Sequence, residues 1–110
     1  TLFALWDQPW VTADEISDAD DLKIKTMLNE RVVQESSTRE MIFSVPDLIS
    51  YISRITTLQP NDLILTGSPK RAADQPDPRI PLKAGDTIQI EIEGLGVLIN
   101  HAVNEEFNSA

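Results

Sequence analysis

The sequence contains no cysteine, only four glycines, and few aromatic side chains, which make up 5% of its 110 residues. Without cysteine the chain can form no disulfide and offers neither a thiolate nucleophile nor a Cys-based zinc site. It also has no run of about 18 apolar residues, which a membrane-spanning helix requires. No secretory signal is visible. These absences exclude thiol chemistry, and we expect a cytoplasmic protein.

Positive charge is also scarce, because 9 Lys and Arg residues face 18 Asp and Glu residues, for a formal net charge of −9. A chain this acidic repels nucleic acid and anionic membranes, so we expect neither as a partner. The hydrophobic fraction of 41% is ordinary for a globular chain, and the length fits one domain at most. Because the chain opens on the apolar Thr1-Leu-Phe-Ala-Leu-Trp6, we expect it to be part of something longer.

Apolar and polar residues alternate in two pairs of segments, which predicts two β-hairpins. Residues 22–28 and 31–35 form the first pair, joined at Asn29-Glu30. Residues 87–93 and 96–103 form the second pair, joined by a glycine-containing reversal. The sequence is therefore expected to be rich in β-structure.

One segment between the hairpins has the signals of a helix. Ser44 is a candidate N-cap, with Pro46 near the first turn and Asp47 favourable against the helix dipole. The apolar residues that follow have helical spacing and predict a face that packs on the sheet. They are Leu48, Ile49, Ile52 and Ile55. The predicted fold class is α+β, β-rich, with one main helix.

The most suggestive polar feature follows residues 62–65, which we predict to be a short buried strand. The strand signal stops at Thr66, Gly67, Ser68 and Pro69, where proline cannot continue a ladder. Two hydroxyls and free backbone N–H groups are thereby left where the strand ends, and they could hold a carboxylate or an enolate oxygen. The alternative is a polar strand exit without function.

Other candidate sites are weaker. Glu91 and Glu93 lie on one face of a strand and could bind Mg²⁺ or Mn²⁺, but an exposed face explains them more simply. The carboxylates of residues 18–21 lack the glycine and the spaced glutamate of a calcium loop, so we predict a solvated loop. His101 has no triad partner, which favours a structural role. Residues 70–81 are a candidate lid or a simple insertion.

Residues 41–69, Met-Ile-Phe-Ser-Val-Pro-Asp-Leu-Ile through Leu-Ile-Leu-Thr-Gly-Ser-Pro, resemble the C-terminal part of the fumarylacetoacetate hydrolase family. The similarity is to its acylpyruvase, oxaloacetate decarboxylase and 2-hydroxyhepta-2,4-diene-1,7-dioate isomerase branch. Residues 9–16, 34–41 and 83–100 resemble further blocks of the family in the same order. The resemblance implies that residues 1–110 are the C-terminal portion of a catalytic domain with a mixed sheet or roll.

The resemblance also implies an activity. Family members use Mg²⁺ or Mn²⁺ to stabilise an enolate of a 2-oxo or dioxo acid during C–C hydrolysis, decarboxylation or isomerisation, usually as homodimers. In the family, the second threonine of a Thr-Gly-Thr-Pro loop contacts the substrate carboxylate. The matching residue here is Ser68, while Thr66 and Gly67 shape the loop. These three are our substrate-binding candidates.

The departures from the family pattern keep other functions open. The family's metal ligands and catalytic lysine align before Thr1, so we assign no catalytic or metal-ligating residue within this chain. A family Gly-Val-Gly is replaced by Lys70-Arg-Ala-Ala-Asp74. The alternatives are a diverged or truncated copy that serves as a binding or dimerisation module, and an acidic interaction domain unrelated to the family.

We predict that the 110-residue chain alone turns over no acylpyruvate, because it lacks the family's metal ligands and lysine. Calorimetric titration of Mg²⁺ or Mn²⁺ into the pure chain, with and without oxalate as an enolate mimic, checks this expectation. Saturable binding that needs both metal and oxalate would reveal a complete site and contradict our interpretation that the ligands are missing from this chain. Substrate-dependent, Mg²⁺-dependent product formation by the pure chain would contradict the predicted lack of turnover.

Overall fold

The computed structural model of the chain describes residues 10–69 and 81–105. Two short 3₁₀ turns, at Ala13–Glu15 and Thr38–Glu40, accompany one helix and four strands. None of the helices in these two ranges is long and apolar enough to cross a membrane. In chain order the main elements are β1 (Lys23–Leu28), β2 (Arg31–Ser37), α1 (Val45–Ile55), β3 (Thr87–Ile92) and β4 (Gly96–His101).

The four strands form one antiparallel sheet in the order β2-β1-β3-β4. Both predicted hairpins are present, and β1 joins them by pairing with β3, with Ile24 opposite Ile92 and Leu28 opposite Ile88. This confirms the α+β, β-rich class with one main helix. Residues distant in sequence are thereby brought onto one surface.

The turn of the first hairpin fastens it to the second. Asn29 and Glu30 have positive φ angles of 49° and 68°, as a tight type I′ hairpin turn requires. The Asn29 side chain donates to Asp86 Oδ1 at 2.8 Å and accepts from the Thr87 N–H at 2.9 Å. Its backbone N–H donates to the Thr87 carbonyl at 2.9 Å. This clamp fixes the point at which β3 begins.

The sheet has one apolar and one charged face. Residues that pair across adjacent strands point to the same face of the sheet. Ile24, Ile90 and Leu98 therefore lie on the apolar face. Lys25 stands opposite Glu91 on the other face, where its Nζ lies 3.9 Å from Glu91 Oε2. The alternation seen in the sequence is therefore realised in the sheet.

The helix begins where the sequence predicts. Ser44 Oγ accepts from the Asp47 N–H at 3.2 Å, and Asp47 Oδ2 accepts from the Ser44 N–H at 3.2 Å. This reciprocal capping box satisfies two amide groups that have no partner within the helix. The next amide, of Val45, donates to Asp20 Oδ1 at 2.8 Å and thereby anchors the helix to the loop before β1.

The loop of residues 18–21 is therefore more than the solvated loop predicted. Besides the bond from Asp20 to the helix, Asp21 Oδ2 lies 2.6 Å from Arg39 Nη2. Both contacts join the loop before β1 to the segment after β2. The sequence shows the carboxylates but not the partners that a distant segment brings to them.

The predicted packing of the helix on the sheet is wrong. No residue of α1 is fully buried, and in the described part of the chain no side chain is. Ile49 and Ile55 are 45% and 71% exposed. Helical spacing of apolar residues shows that a face avoids water, but it does not say which element covers that face.

The predicted buried strand at residues 62–65 is also wrong. Asp62 belongs to a turn instead, because its N–H donates to the Gln59 carbonyl at 3.0 Å and its Oδ2 accepts from the Gln59 N–H at 2.7 Å. Asn61 in this turn has a φ of 76°. Leu65 is 84% exposed. Within the described ranges no strand lies alongside this segment, so its backbone has no ladder to join.

We predict that Ser44→Ala destabilises α1 by about 1 kcal/mol, since it removes one half of the capping box. Hydrogen exchange of the α1 amides should become roughly fivefold faster. Ser50→Ala, on an exposed position of the same helix, is the control and should not accelerate exchange, because alanine favours helix. Equal exchange rates in the two variants would contradict the capping role.

We also predict that the clamp between Asn29, Asp86 and Thr87 stabilises the fold less at acid pH. The Lys83 N–H and the Asn29 amide, both at 2.8 Å, donate to Asp86 and hold its pKa below the ordinary value of 3.8. A carboxyl whose folded-state pKa is lowered stabilises the fold above its unfolded-state pKa, and this stabilisation disappears as the pH falls through the folded-state value. On acidification below pH 3.8, Asp86→Asn should therefore lose less thermal stability than the wild type does.

Glu105→Gln is the matched control, because it removes one negative charge from an exposed position. Its melting temperature should follow that of the wild type as the pH falls. If Asp86→Asn does the same, the clamp is not the source of the pH dependence.

Candidate functional site

A cleft of about 580 Å³ lies where the end of β2, the start of α1 and the end of segment 66–69 meet. Its polar wall contains four hydroxyl side chains and one carboxylate, and its other wall is apolar. The polar side chains are Ser36, Ser37, Glu40, Thr66 and Ser68.

Ser36 and Ser37 reach the cleft as the last residues of β2, which extends two residues beyond the strand predicted at 31–35. Ser36 Oγ donates to Glu40 Oε2 at 3.2 Å. Ser37 Oγ accepts from the Arg39 N–H at 3.2 Å and so caps the 3₁₀ turn. The strand thus delivers these hydroxyls at a fixed register, because both residues pair with β1.

The three predicted substrate-binding residues are consecutive in the chain, and two of them belong to the polar wall of the cleft. Thr66 and Ser68 line the cleft, and both side chains are exposed. Gly67 between them has a φ of 87°, and a Cβ at that position would meet no atom within 4 Å. Glycine is therefore needed for the backbone conformation rather than for space. Their role in substrate binding stays a prediction.

The apolar wall comes from the segment between the 3₁₀ turn and α1. Ile42 and Phe43 line the cleft although they are 92% and 62% exposed. Met41 and Leu48 complete the wall and are half-buried. The cleft therefore combines convergent hydroxyls with a large apolar surface, a combination typical of small-molecule sites.

A second set of hydrogen bonds fixes this wall to the sheet. Thr38 Oγ1 accepts from the Leu22 N–H at 2.8 Å, and the Thr38 N–H donates to the Leu22 carbonyl at 2.9 Å. On the other side, Gln34 Nε2 donates to the Pro69 carbonyl at 2.6 Å. Gln34 and Glu40 are the polar residues that the sequence reasoning missed. The sequence offers no signal that singles out Gln34, because its neighbours on the same face of the hairpin, Thr26 and Ser36, are polar too.

The other carboxylates singled out in the sequence lie on the charged face of the sheet. Glu91 faces Lys25, and Glu93 Oε2 accepts from the Lys23 N–H at 3.3 Å. A hollow of about 260 Å³ there is lined by lysines as well as glutamates, which favours a charge-balanced surface over a metal site. His101 Nδ1 lies 3.0 Å from Thr87 Oγ1 in an exposed pair that points to a structural role.

The described residues do not form the Mg²⁺ or Mn²⁺ site that the resemblance implies. Across residues 10–69 and 81–105, no three His, Cys, Asp or Glu side chains converge closely enough to hold a metal ion. Residues 70–80 are not among the described residues. The candidate lid at residues 70–81 therefore lies almost wholly outside the described ranges, and the Lys70–Asp74 turn lies wholly outside them. What the described cleft offers is hydrogen bonding and apolar contact.

Comparison with known proteins gives this cleft a context. The sequence matches the family model described as "Fumarylacetoacetate (FAA) hydrolase C-terminal" over residues 8–103. Oxaloacetate tautomerase Fahd2a, mitochondrial, of Rattus norvegicus is 45% identical over 93 residues, which are 84% of this chain and 30% of the rat protein. The 4-hydroxyphenylacetate degradation bifunctional isomerase/decarboxylase of Salmonella dublin is 42% identical over 99 residues, which are 89% of this chain and 21% of that protein.

A solved structure agrees in fold. Maleylpyruvate hydrolase from Sphingobium sp. SYK-6, in complex with manganese (II) ion and pyruvate, superposes with a TM-score of 0.71 at 32% identity. The match covers 84% of this chain and 33% of that one. The chain thus spans less than a third of the length of each of these two curated relatives.

Proposed function

Since the chain belongs to the fumarylacetoacetate hydrolase family, we propose that residues 1–110 are the C-terminal portion of a catalytic domain that acts on 2-oxo or dioxo acids. The observation that carries this proposal is the cleft, which Thr66 and Ser68 line together with the hydroxyl-bearing Ser36 and Ser37. Relatives act as a tautomerase and as an isomerase/decarboxylase, and a maleylpyruvate hydrolase holds pyruvate. A carboxylate beside an oxo group is the feature that we expect the cleft to bind.

In this proposal Ser68 donates its hydroxyl hydrogen to the substrate carboxylate, and the Gly67 turn presents the hydroxyl toward the cleft. Hydrogen bonds to charged acceptors are the stronger class, so a single hydroxyl contributes measurably to affinity. The apolar wall at Ile42 and Phe43 shields the bound substrate from water and accommodates its acyl portion.

The reaction class is C–C hydrolysis, decarboxylation or isomerisation through an enolate, and we propose Mg²⁺ or Mn²⁺ as the cofactor. The support is the manganese and pyruvate in the Sphingobium enzyme. No cluster of metal-ligating side chains exists in the described part of this chain, so we assign no chemical step to the metal here. The role of the described residues is to bind and orient the substrate.

A non-catalytic module is the second candidate, and two observations favour it. The described ranges contain no metal-ligand cluster, and Lys70-Arg-Ala-Ala-Asp74 stands where the family has a glycine turn. Exposed Ile42, Phe43 and Leu65 would then serve association, and a homodimer is our proposed assembly in either case. Turnover separates the two candidates, because a module binds without forming product.

We predict that Ser68→Ala in the complete protein containing this chain weakens oxalate binding by about 2 kcal/mol, roughly thirtyfold in Kd. Loss of a hydrogen bond to a charged carboxylate is the reason. Calorimetry in the presence of Mn²⁺ measures it. Ser68→Thr keeps the hydroxyl and should stay within a few-fold of the wild type.

Ser50→Ala, in α1 and outside the cleft, controls for unspecific effects of removing a serine. If Ser68→Ala binds as tightly as this control, Ser68 does not hold the carboxylate. A wild-type protein that binds oxalate but processes no 2-oxo acid would favour the module.

A further inference from the structure

Gln34 stands at the β2 end of a row of side chains that crosses the sheet. The row continues with Thr26 of β1, Ile90 of β3 and Leu98 of β4, and each residue pairs with the next one. Residues in one row share a face, so the Gln34 carboxamide projects from the apolar face. A half-buried amide there needs a hydrogen-bond partner, because leaving it unpaired is costly.

Its partner lies in a segment 35 residues away. Gln34 Nε2 donates to the Pro69 carbonyl at 2.6 Å in a part-buried bond. Pro69 directly follows Ser68, and both line the cleft. This bond ties the Ser68 segment to the sheet.

A break in the strand register, of the kind that a β-bulge produces, lies beside that side chain. The register of β1 against β2 shifts between Thr26 and Met27, so Val32 faces Met27 while Gln34 faces Thr26, with Val33 as the extra residue. Bulges bend a strand, increase its twist and re-aim the neighbouring side chains. The irregularity stands immediately before Gln34, where it affects the direction of the carboxamide.

We propose that Gln34 is a positioning residue, whose hydrogen bond to the Pro69 carbonyl sets where Ser68 stands over the cleft. The inference rests on the proposed function in assigning Ser68 to the substrate carboxylate. Gln34 itself does not line the cleft. Its effect on the ligand passes through the backbone of Pro69.

The test uses the complete protein that contains this chain. Gln34→Met keeps the length and apolar stem of the side chain but removes the donor. Gln34→Glu restores a donor only when the carboxyl is protonated, near and below its ordinary pKa of about 4.3. Gln89→Met is the matched control, because Gln89 lies on the opposite face of the sheet, facing Met27 and Ile99.

The first readout is independent of any ligand. In the wild type and in Gln89→Met, ¹⁵N relaxation at the Gly67 and Ser68 amides should give order parameters of about 0.85, those of a rigid backbone. In Gln34→Met they should fall below about 0.6. In Gln34→Glu the Gly67 and Ser68 amides should be mobile at neutral pH and become ordered on acidification. Simple loss of packing would not produce this pH dependence.

The second readout is oxalate affinity with Mn²⁺, measured by calorimetry. We expect Gln34→Met to weaken it about fivefold, as loss of one ordinary hydrogen bond predicts, with Gln89→Met unchanged. Unaltered mobility at Gly67 in Gln34→Met would overturn the inference, as would increased mobility with unaltered affinity. A wild type that binds no oxalate would instead refute the proposed function, while relaxation still decides whether Gln34 holds the segment.

Discussion

The pairing of β1 with β3 is the interaction on which the rest of the structure depends. Each hairpin alone is two-stranded, and an isolated two-stranded hairpin is at best marginally stable in water. By joining residues 24–28 to residues 88–92, this pairing builds a four-stranded sheet and brings the isoleucines of β1 and β3 onto one face. The Asn29 clamp on Asp86 and Thr87 fixes the register at one end of this pairing.

The cleft is built outward from this sheet by a small number of hydrogen bonds. Thr38 and Asp20 hold the wall that leads into α1, and Gln34 holds the segment that carries Ser68. In the described part of the chain no side chain is fully buried. Polar contacts therefore determine the geometry of the site more than core packing does.

This exposure agrees with the extent of the match to relatives, since the aligned part covers 30% of the rat protein. Apolar residues such as Ile42 and Leu65, at 92% and 84% exposure, have the character of core positions without a core around them. Residues 62–65 and one face of α1 are rich in apolar side chains, and this pattern predicts burial. The prediction of burial is wrong for the structure because no described residues cover these positions.

The sequence by itself determined both hairpins, the Ser44–Asp47 capping box and the grouping of Thr66, Gly67 and Ser68, since alternation, caps and turns depend on neighbours along the chain. It also carried the family resemblance that the comparisons confirm. Only the tertiary structure decided that β1 pairs with β3, that Asp20 anchors the helix, and that Gln34 reaches Pro69. These contacts join residues far apart in sequence, and local preferences carry no information about which distant group will be the partner.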